Sequence, residues 1–554
     1  MLKNIKYLIL TVAVLASSSC SEEFLDTKPT DAIAAGDALA TEANMALILN
    51  GMHRSLYSQS QTILPGGTAI ASTNIANDHF YVPMGDNIGG SLIHSANANN
   101  LGWRDVAQWI EHRDQTSLVT NILWYHRYNL IANANTLINK VASGDLPVTP
   151  KLREIVGQAY TYRAFAYLSL VQHYAKGYLI GNPSSDPGVP ILTATEAPFE
   201  SGPRASVQAV YDQIIKDLDE AIINFQQSTP RQSGSAFHKS NLNIDVAWGL
   251  KARAALNSGD WATAVSASQE ARKDYPIMGE ANWKAGFNST LLPEVIWGSN
   301  VLGTETTFFR SYFYLASNDF NGSQIRNNPK LADRRLVDAI PETDYRGDAF
   351  LPNAPNSSSS AANGTGGWAN NKNPLYTTLA EFNAAIAEIK QTYGLTSGHR
   401  THPYMHFKLK QQQPGTIEPD DIIYMRSSEM YLIEAEAKAM LNDIPGAQAA
   451  LSPLGNERDS AYDVTKFNTQ ESLMEHIKFQ RRLELWGEGF TYTDKIRWDE
   501  GIDHAAEGGS GASETIYQDG FFQDKPSVNP KWVFLIPQRE IDTNTFISPD
   551  DQNP

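Results

Sequence analysis

A single cysteine, Cys20, stands among 554 residues, which excludes a disulfide framework and a cysteine-built zinc site. Basic residues are also scarce: 44 Lys and Arg face 61 Asp and Glu, a formal net charge of -17. Nucleic acid is thereby excluded as the main partner, because a phosphate backbone is held by basic patches that an acidic surface repels. Beyond Ala16 no uninterrupted apolar run approaches the ~18 residues of a membrane-crossing helix. There is no G-x-S-x-G nucleophile elbow, and Gly508-Gly509-Ser510-Gly511 lacks the preceding strand and following Lys of a phosphate loop, so it reads as linker. What is present is a composition for folding: 42% hydrophobic, 19% charged and 10% aromatic residues. At roughly 150 residues per domain the length allows three or four domains, or one large helical body.

The N-terminus is organised for export. Lys3 and Lys6 precede the apolar run Tyr7 to Ala16, and Ser17, Ser18 and Ser19 follow it. A charged segment, a short apolar segment and small residues make a signal peptide, too short to persist as a spanning helix. Because the small residues end at the only thiol, the segment reads as a bacterial lipoprotein signal: residues 1-19 are removed and Cys20 is acylated, anchoring the chain to lipid. Ser17 occupies the position where the usual lipobox has Leu.

Helical periodicity dominates the rest, so the fold class is mostly α. Val207, Val210, Tyr211, Ile214, Leu218, Ala221, Ile222 and Phe225 form one apolar stripe, with Ser206 placed to cap it. Similar patterns run through residues 118-139 and 160-171, and further helices are expected at 41-57, 244-257, 261-273, 424-442 and 470-487. The segment Ala254 to Ala264 is echoed by Ala439 to Ala449, and in each a small-residue helix is expected to stop at a Gly or Pro turn. Each reads as two small-residue helices folded back on one another, the physics of a tetratricopeptide pair. The two lie too far apart for a regular ~34-residue array, so insertions separate the units. Residues 58-116, 276-376 and 498-530 are rich in Gly, Pro, Asn and Ser and read as irregular loops on that frame. Ser357 to Gly367 reads as a loop tip, and Val533 to Ile536 as a buried segment rather than a strand of a sheet.

Several blocks carry a family resemblance. The mature start, Cys20-Ser21-Glu22-Glu23-Phe24-Leu25-Asp26, resembles the opening of the SusD/RagB family of Bacteroidetes outer-membrane nutrient-binding lipoproteins. Arg163 to Leu168 with Gly188-Val189-Pro190, Leu250 to Ala264, Asp421 to Ala437, Arg481 through Glu488-Gly489 to Arg497-Trp498, and Phe534 to Pro537 are similar to that family and stand in its order. The resemblance implies a SusD-like single body in which four tetratricopeptide-like helical hairpins support a loop-rich ligand-binding half. It divides the chain into the signal peptide 1-19, an N-terminal region 20-235 and a C-terminal region 236-554. It also implies a non-enzymatic role on the extracellular face of the outer membrane, needing no cofactor. There the protein would capture a glycan ligand and deliver it to a SusC-like TonB-dependent transporter as its lid. Arg163, Arg426, Glu429 and Glu484 fall on helical faces in these motifs, where buried ion pairs are expected.

A sugar is held by laying its apolar face on an aromatic ring while amides and carboxylates take its hydroxyls. Trp103, Trp109 and Trp368, with Phe80 and Tyr81 beside Asp78, lie in loop-like polar surroundings and are the candidate ligand residues. Trp124, Trp248, Trp261 and Trp486 fall on expected helices and are assigned to the core. The acidic neighbours Asp420-Asp421, Glu434 with Glu436, and Asp499-Glu500 raise a glycosidase, whose two carboxyls must flank a scissile bond. Adjacency in sequence does not supply that geometry. His399, His402 and His406 are spaced tolerably for a metal, but Pro403 interrupts any helix, so they read as a polar loop and no metal is assigned. Two other readings stay open: a SusD-like peptide-binding protein of the RagB type, and a secreted helical-repeat enzyme acting on polysaccharide.

Overall fold

The long helices begin where the sequence supplies a side-chain oxygen for an unpaired backbone amide. Ser117 accepts from Thr120 N ahead of Leu118–Ala142, Thr149 from Leu152 N ahead of Pro150–Tyr174, and Ser206 from Ala209 N ahead of Val207–Gln226. In the computed structural model these helices are α3, α4 and α5, preceded by α1 (Glu42–Ser55) and α2 (Asp78–Ile88). The chain continues through α6 (Ile244–Ser258), α7 (Trp261–Ala271), α8 (Leu379–Thr392), α9 (Ser427–Met440), α10 (Ile444–Arg458), α11 (Gln470–Glu484) and α12 (Thr491–Trp498). The structure describes residues 39-58, 62-63, 69-70, 77-95, 104-193, 201-231, 238-306, 311-323, 325-357, 367-371, 373-504, 515, 517 and 520-554. The signal segment, Cys20, Trp103, residues 358-366 of the loop tip and Gly508–Gly511 lie outside them. The chain divides into two units, Met1–Ile48 and Leu49–Pro554. The first contributes only the start of α1 to the described residues, and every element after α1 belongs to the second.

Neighbouring helices pack in series, α3 on α4, α4 on α5, α5 on α6 and α6 on α7. The series then skips the whole 276-421 insertion: α7 packs directly on α9, which packs on α10 and α11. Gln269 Nε2 donates to Glu434 Oε1 at 2.7 Å across that join, and Arg272 pairs with Glu434 at 2.5 Å. The two echoing hairpins share a turn. Gly259 (φ 79°) and Asn442 (φ 61°) both take the left-handed backbone, and the aspartates after them, Asp260 and Asp443, cap the second helix by accepting from Thr263 N and Gly446 N. Leu432, Ala435, Ala439, Ala447, Ala450, Leu451, Leu473 and Ile477 fill the interior of the second hairpin and α11.

The insertion is more ordered than its composition suggests. Strand β1 (Leu92–His94) joins β3 (Lys330–Ala332), β5 (Met405–His406) and β4 (Phe350–Leu351) in a sheet of order β1-β3-β5-β4. Strand β2 (Val295–Ser299) pairs antiparallel with β6 (Ile422–Arg426). The helix expected at 424-442 therefore starts only at Ser427, since residues 422-426 are fully buried and rich in β-branched and aromatic side chains, which favours a strand. β6 lies so close to α6 that a Cβ on Gly249 would collide with Met425 Sδ. Val533 to Ile536 runs buried without sheet pairing, with Phe534 N donating to His173 O at 2.8 Å and Leu535 N to His112 O at 3.1 Å. Trp124 and Trp486 are buried as expected, whereas Trp248 and Trp261 are only half-buried because they sit on outer faces of α6 and α7.

A buried charge network ties frame and insertion together. The Glu484 carboxylate accepts from Arg426 Nη1 at 2.7 Å, from Arg458 Nη2 and Nε, both at 3.1 Å, and from Arg346 Nη1 at 2.9 Å. Arg426 and Arg458 also share Glu294 at 2.9 and 2.7 Å, Arg426 and Lys408 share Glu488, each at 2.7 Å, and Arg346 is held by Asp344 at 2.6 Å. Four cations thus meet four carboxylates, none more than 6% exposed. Burial pushes the Glu484 carboxyl upward, but the surrounding guanidinium groups of Arg458, Arg426 and Arg346 outweigh it and hold the group well below the usual carboxylate range. Arg163 likewise joins α4 to Asp217 of α5 through bonds of 2.6 and 2.8 Å and to Asn135 of α3 at 2.8 Å, and Glu429 of α9 takes Arg253 of α6 at 2.7 Å. Replacing Glu484 by Gln strands three buried guanidinium groups with one charge too few. Urea unfolding of Glu484→Gln is expected to show a loss of about 3–5 kcal/mol.

Candidate functional site

Asp78, Phe80 and Tyr81 belong to the buried helix α2 rather than to a loop. Pro83 sits at the sixth residue of that helix, which accommodates it. Asp78 pairs with the Arg127 guanidinium, and both are buried. Phe80 is 2% and Tyr81 7% exposed, and the Tyr81 hydroxyl donates to Val119 O at 3.1 Å. The helix is pressed against the turn after α11: a Cβ on Gly85 would collide with Gly489 O, while Asp86 accepts from Gly489 N and Thr491 Oγ1. Trp109, at φ 63° and 4% exposed, donates its indole N–H to Ile88 O at 2.9 Å and meets Trp532 edge-on at 4.8 Å. None of these three rings offers a free face to solvent.

Trp368 is placed differently. Gly367 takes a left-handed backbone (φ 81°), a conformation glycine adopts without strain, and starts the short 3-10 turn Trp368–Asn370. The indole, half-buried, leans on the buried Phe382 of α8 at a centroid distance of 5.7 Å and an angle of 59°. Tyr376 meets the same Phe382 edge-on at 5.9 Å, and its hydroxyl donates to Asn353 O at 2.6 Å. Asn371 Nδ2 donates to Asn373 O at 3.2 Å and Tyr376 O at 3.1 Å, and Asn373 Nδ2 to Asn353 O at 3.2 Å, so side-chain amides fix the loop that carries Tyr376. Leu375 (60% exposed) and Leu379 (49% exposed), on either side of Tyr376 in sequence, are also open to solvent. Sequence reasoning misses Tyr376 and Phe382; the signal for them is the Asn-rich run around Trp368 leading into a Thr378–Glu381 capping box.

The other constellations are occupied by structural bonds. His399 Nε2 faces Phe320 O at 3.1 Å, His406 Nε2 faces Ala316 O at 2.8 Å and His402 Nδ1 faces Pro403 O at 2.9 Å, and no group of metal-ligating side chains occurs among the described residues. Asp421 accepts from Thr290 N (2.8 Å), Asn300 Nδ2 (2.9 Å) and Val301 N (3.0 Å). Glu436 takes Arg497 and the Trp498 indole, Glu434 takes Lys438, Asp499 takes Lys525, and Glu500 takes Lys478 and Arg482.

Residues 320–554, which carry the Trp368 cluster and all of the charge network except Glu294, match the SusD family, and residues 23–234 match a SusD-like family described as starch-binding and associating with the outer membrane. The chain belongs to the SusD family. A SusD-like protein of Formosa agariphila is 24% identical over 429 residues, spanning 69% of this chain and 72% of its own length. Among solved structures, a SusD-like carbohydrate binding protein from Bacteroides vulgatus superposes with a TM-score of 0.68 at 22% identity, covering 93% of this chain and 98% of that one. Surface glycan-binding protein A from Bacteroides fluxus gives 0.62 at 16%, covering 93% and 99%. At such identities the likeness establishes the SusD fold, with its mostly helical architecture. Members of the SusD family associate with the outer membrane, and no helix among the described residues of this member is long and apolar enough to cross one.

Burial gives this SusD-family chain a pH dependence. Ten of its twelve histidines are held neutral by desolvation: His53, His173, His399, His476 and His504 are pushed down to about 4, His79, His94, His112 and His406 to about 3, and His126 well below its ordinary value. The unfolded chain takes up protons at these groups below about pH 6.5 while the folded chain does not, so stability falls as pH drops from there toward 4. Asp86 and Asp319, raised by burial to about 6, and Asp420, raised to about 7, favour the folded state over part of the same range but are fewer. Thermal unfolding should therefore show a midpoint that declines steadily between about pH 6.5 and 4; a flat profile would mean that these imidazoles titrate in the folded protein.

Proposed function

We propose that this protein is a non-catalytic, cell-surface glycan-binding lipoprotein, anchored through an acylated Cys20, that captures oligosaccharide or polysaccharide and delivers it to a SusC-like TonB-dependent transporter as its lid. The observation that carries the binding reading is the half-buried Trp368 leaning on Phe382, which Tyr376 also meets, on a loop held by the amides of Asn371 and Asn373. A flat apolar face set among amide donors and acceptors is the composition that a sugar ring recognises. Two of the similar solved structures are described as carbohydrate-binding and glycan-binding, which supports the same class of ligand. The acidic pairs that a glycosidase would need are engaged by cations or backbone amides, which favours capture over hydrolysis. Asp78, Phe80, Tyr81 and Trp109 then serve in packing the frame, and Trp103 remains a second candidate platform.

Isothermal titration of a glycan panel tests this reading. Trp368→Ala is expected to weaken the best ligand about tenfold, the equivalent of roughly 1.4 kcal/mol, with an unchanged unfolding temperature. New reducing ends should not accumulate when the wild-type protein is incubated with that glycan. Binding unaffected by Trp368→Ala would remove the platform, and released reducing ends would favour the secreted enzyme.

A further inference from the structure

Beside the end of α11 lies a groove of about 630 Å³ in which Phe522 stands at the rim. The ring is held out by register. Strands β7 (Ile502–Asp503) and β8 (Phe522–Gln523) pair antiparallel, with Asp503 opposite Phe522 and Ile502 opposite Gln523. Side chains alternate across such a ribbon, so burying Ile502 (3% exposed) turns Phe522 outward, and it is 64% exposed. An aromatic ring fixed in this way on a paired strand, rather than trailing on a loop, loses little freedom when a ligand covers it. Concavity distinguishes the place from a flat docking face, and its volume lies within the range of small-molecule sites.

The groove wall is polar and already neutralised. Arg335 bonds Asp333 through Nε at 3.0 Å and Nη2 at 2.5 Å, and its Nη2 also reaches Asp503 O at 2.9 Å. Arg482 pairs with Glu500, which Lys478 also reaches at 2.9 Å, and Lys495 Nζ donates to Gly501 O at 2.7 Å. Four acids (Asp333, Glu500, Asp503, Asp524) balance four bases (Arg335, Arg482, Lys495, Lys525) along the lining. An ionic ligand would find no net opposite charge there, whereas a polyhydroxylated neutral one finds donors and acceptors of both kinds around the rings of Phe522 and Phe479. The geometry points to this groove as a second saccharide-binding site, separate from the Trp368 cluster, that takes a segment of a neutral glycan with Phe522 as its stacking platform. The inference rests on the glycan-binding reading of the Trp368 cluster and extends it: two sites on one body hold a long chain more tightly than a short one.

Phe522→Ala, Trp368→Ala and the wild type, checked for equal unfolding temperatures, separate the two. Titrations would use an array of neutral oligosaccharides of three and seven or more sugars, with oligogalacturonate as the acidic comparison, and hydrogen exchange would follow residues 500-503 and 520-525. Neutral chains are expected to protect those segments in the wild type and in Trp368→Ala but not in Phe522→Ala, and Phe522→Ala should lose at least fivefold in affinity for the longer chains. Oligogalacturonate should give no protection. If Trp368→Ala weakens binding while Phe522→Ala does not and 520-525 stays unprotected, the groove site is overturned and the platform stands. A Phe522→Ala protein that binds glycans normally but no longer retains a membrane partner overturns it in favour of protein docking. A wild type that binds no oligosaccharide of the array overturns both.

Discussion

Everything in the fold passes through one carboxylate. Glu484 ends α11 and receives guanidinium groups from the end of β6, from α10 and from the 3-10 turn that carries Arg346. Those elements come from well-separated parts of the sequence, and nothing apolar would select one arrangement of them over another so sharply. A buried ion cluster is not in itself a source of net stability, because desolvating each charge costs several kcal/mol. What it supplies is register: with four charges of each sign, any displacement of β6 or α10 leaves a charge without its counter-ion. The network therefore fixes where the insertion meets the helical stack.

That constraint explains how a chain interrupted by some of its longest irregular stretches can still carry a binding surface. α7 and α9 pack as though consecutive, so the 276-421 segment is an excursion from a continuous stack. From the excursion, β3, β4 and β5 join β1 in one sheet and β2 pairs with β6, which returns the chain to the frame. Rings that face the frame, such as Trp297, Trp283 and Trp486, are consumed in packing. Trp368, half-buried, and Phe522, 64% exposed, keep surface for something else. In the proposed function the labour is divided accordingly: charges hold, and the few uncovered aromatics recognise.

Much of the frame was legible in the sequence because helical period, cap residues and turn signals act locally. Ser206 and Gly259 marked boundaries that the structure keeps, whereas the second hairpin turns at Asn442-Asp443, ahead of Pro445 and Gly446, which lie in the first turn of α10. Arg163, Arg426, Glu429 and Glu484 could be assigned to ion pairs, because a charge in an apolar setting demands a partner, although Arg426 ends β6 rather than lying on a helical face. Their partners could not be named, since Asp217, Glu294 and Arg346 are brought in by tertiary packing. The site was less legible for the same reason. Polar neighbours made Phe80, Tyr81 and Trp109 look loop-borne, yet Pro83 is accommodated within a helix and Trp109 is pinned through its indole N–H to Ile88 O. Exposure depends on which distant segment lies on top, as the contrast between Trp109 and Trp368 shows. The exposure of Phe522 follows from a two-residue pairing register that composition does not encode.

The indole N–H signals of the tryptophans, assigned by single substitution and followed in an NMR titration with a bound oligosaccharide, test the binding surface most directly. The Trp368 signal is predicted to shift with saturation while those of Trp124, Trp283, Trp297, Trp486 and Trp532, sealed in the frame, stay in place. A saccharide that binds tightly and leaves the Trp368 signal unmoved would contradict the proposed platform.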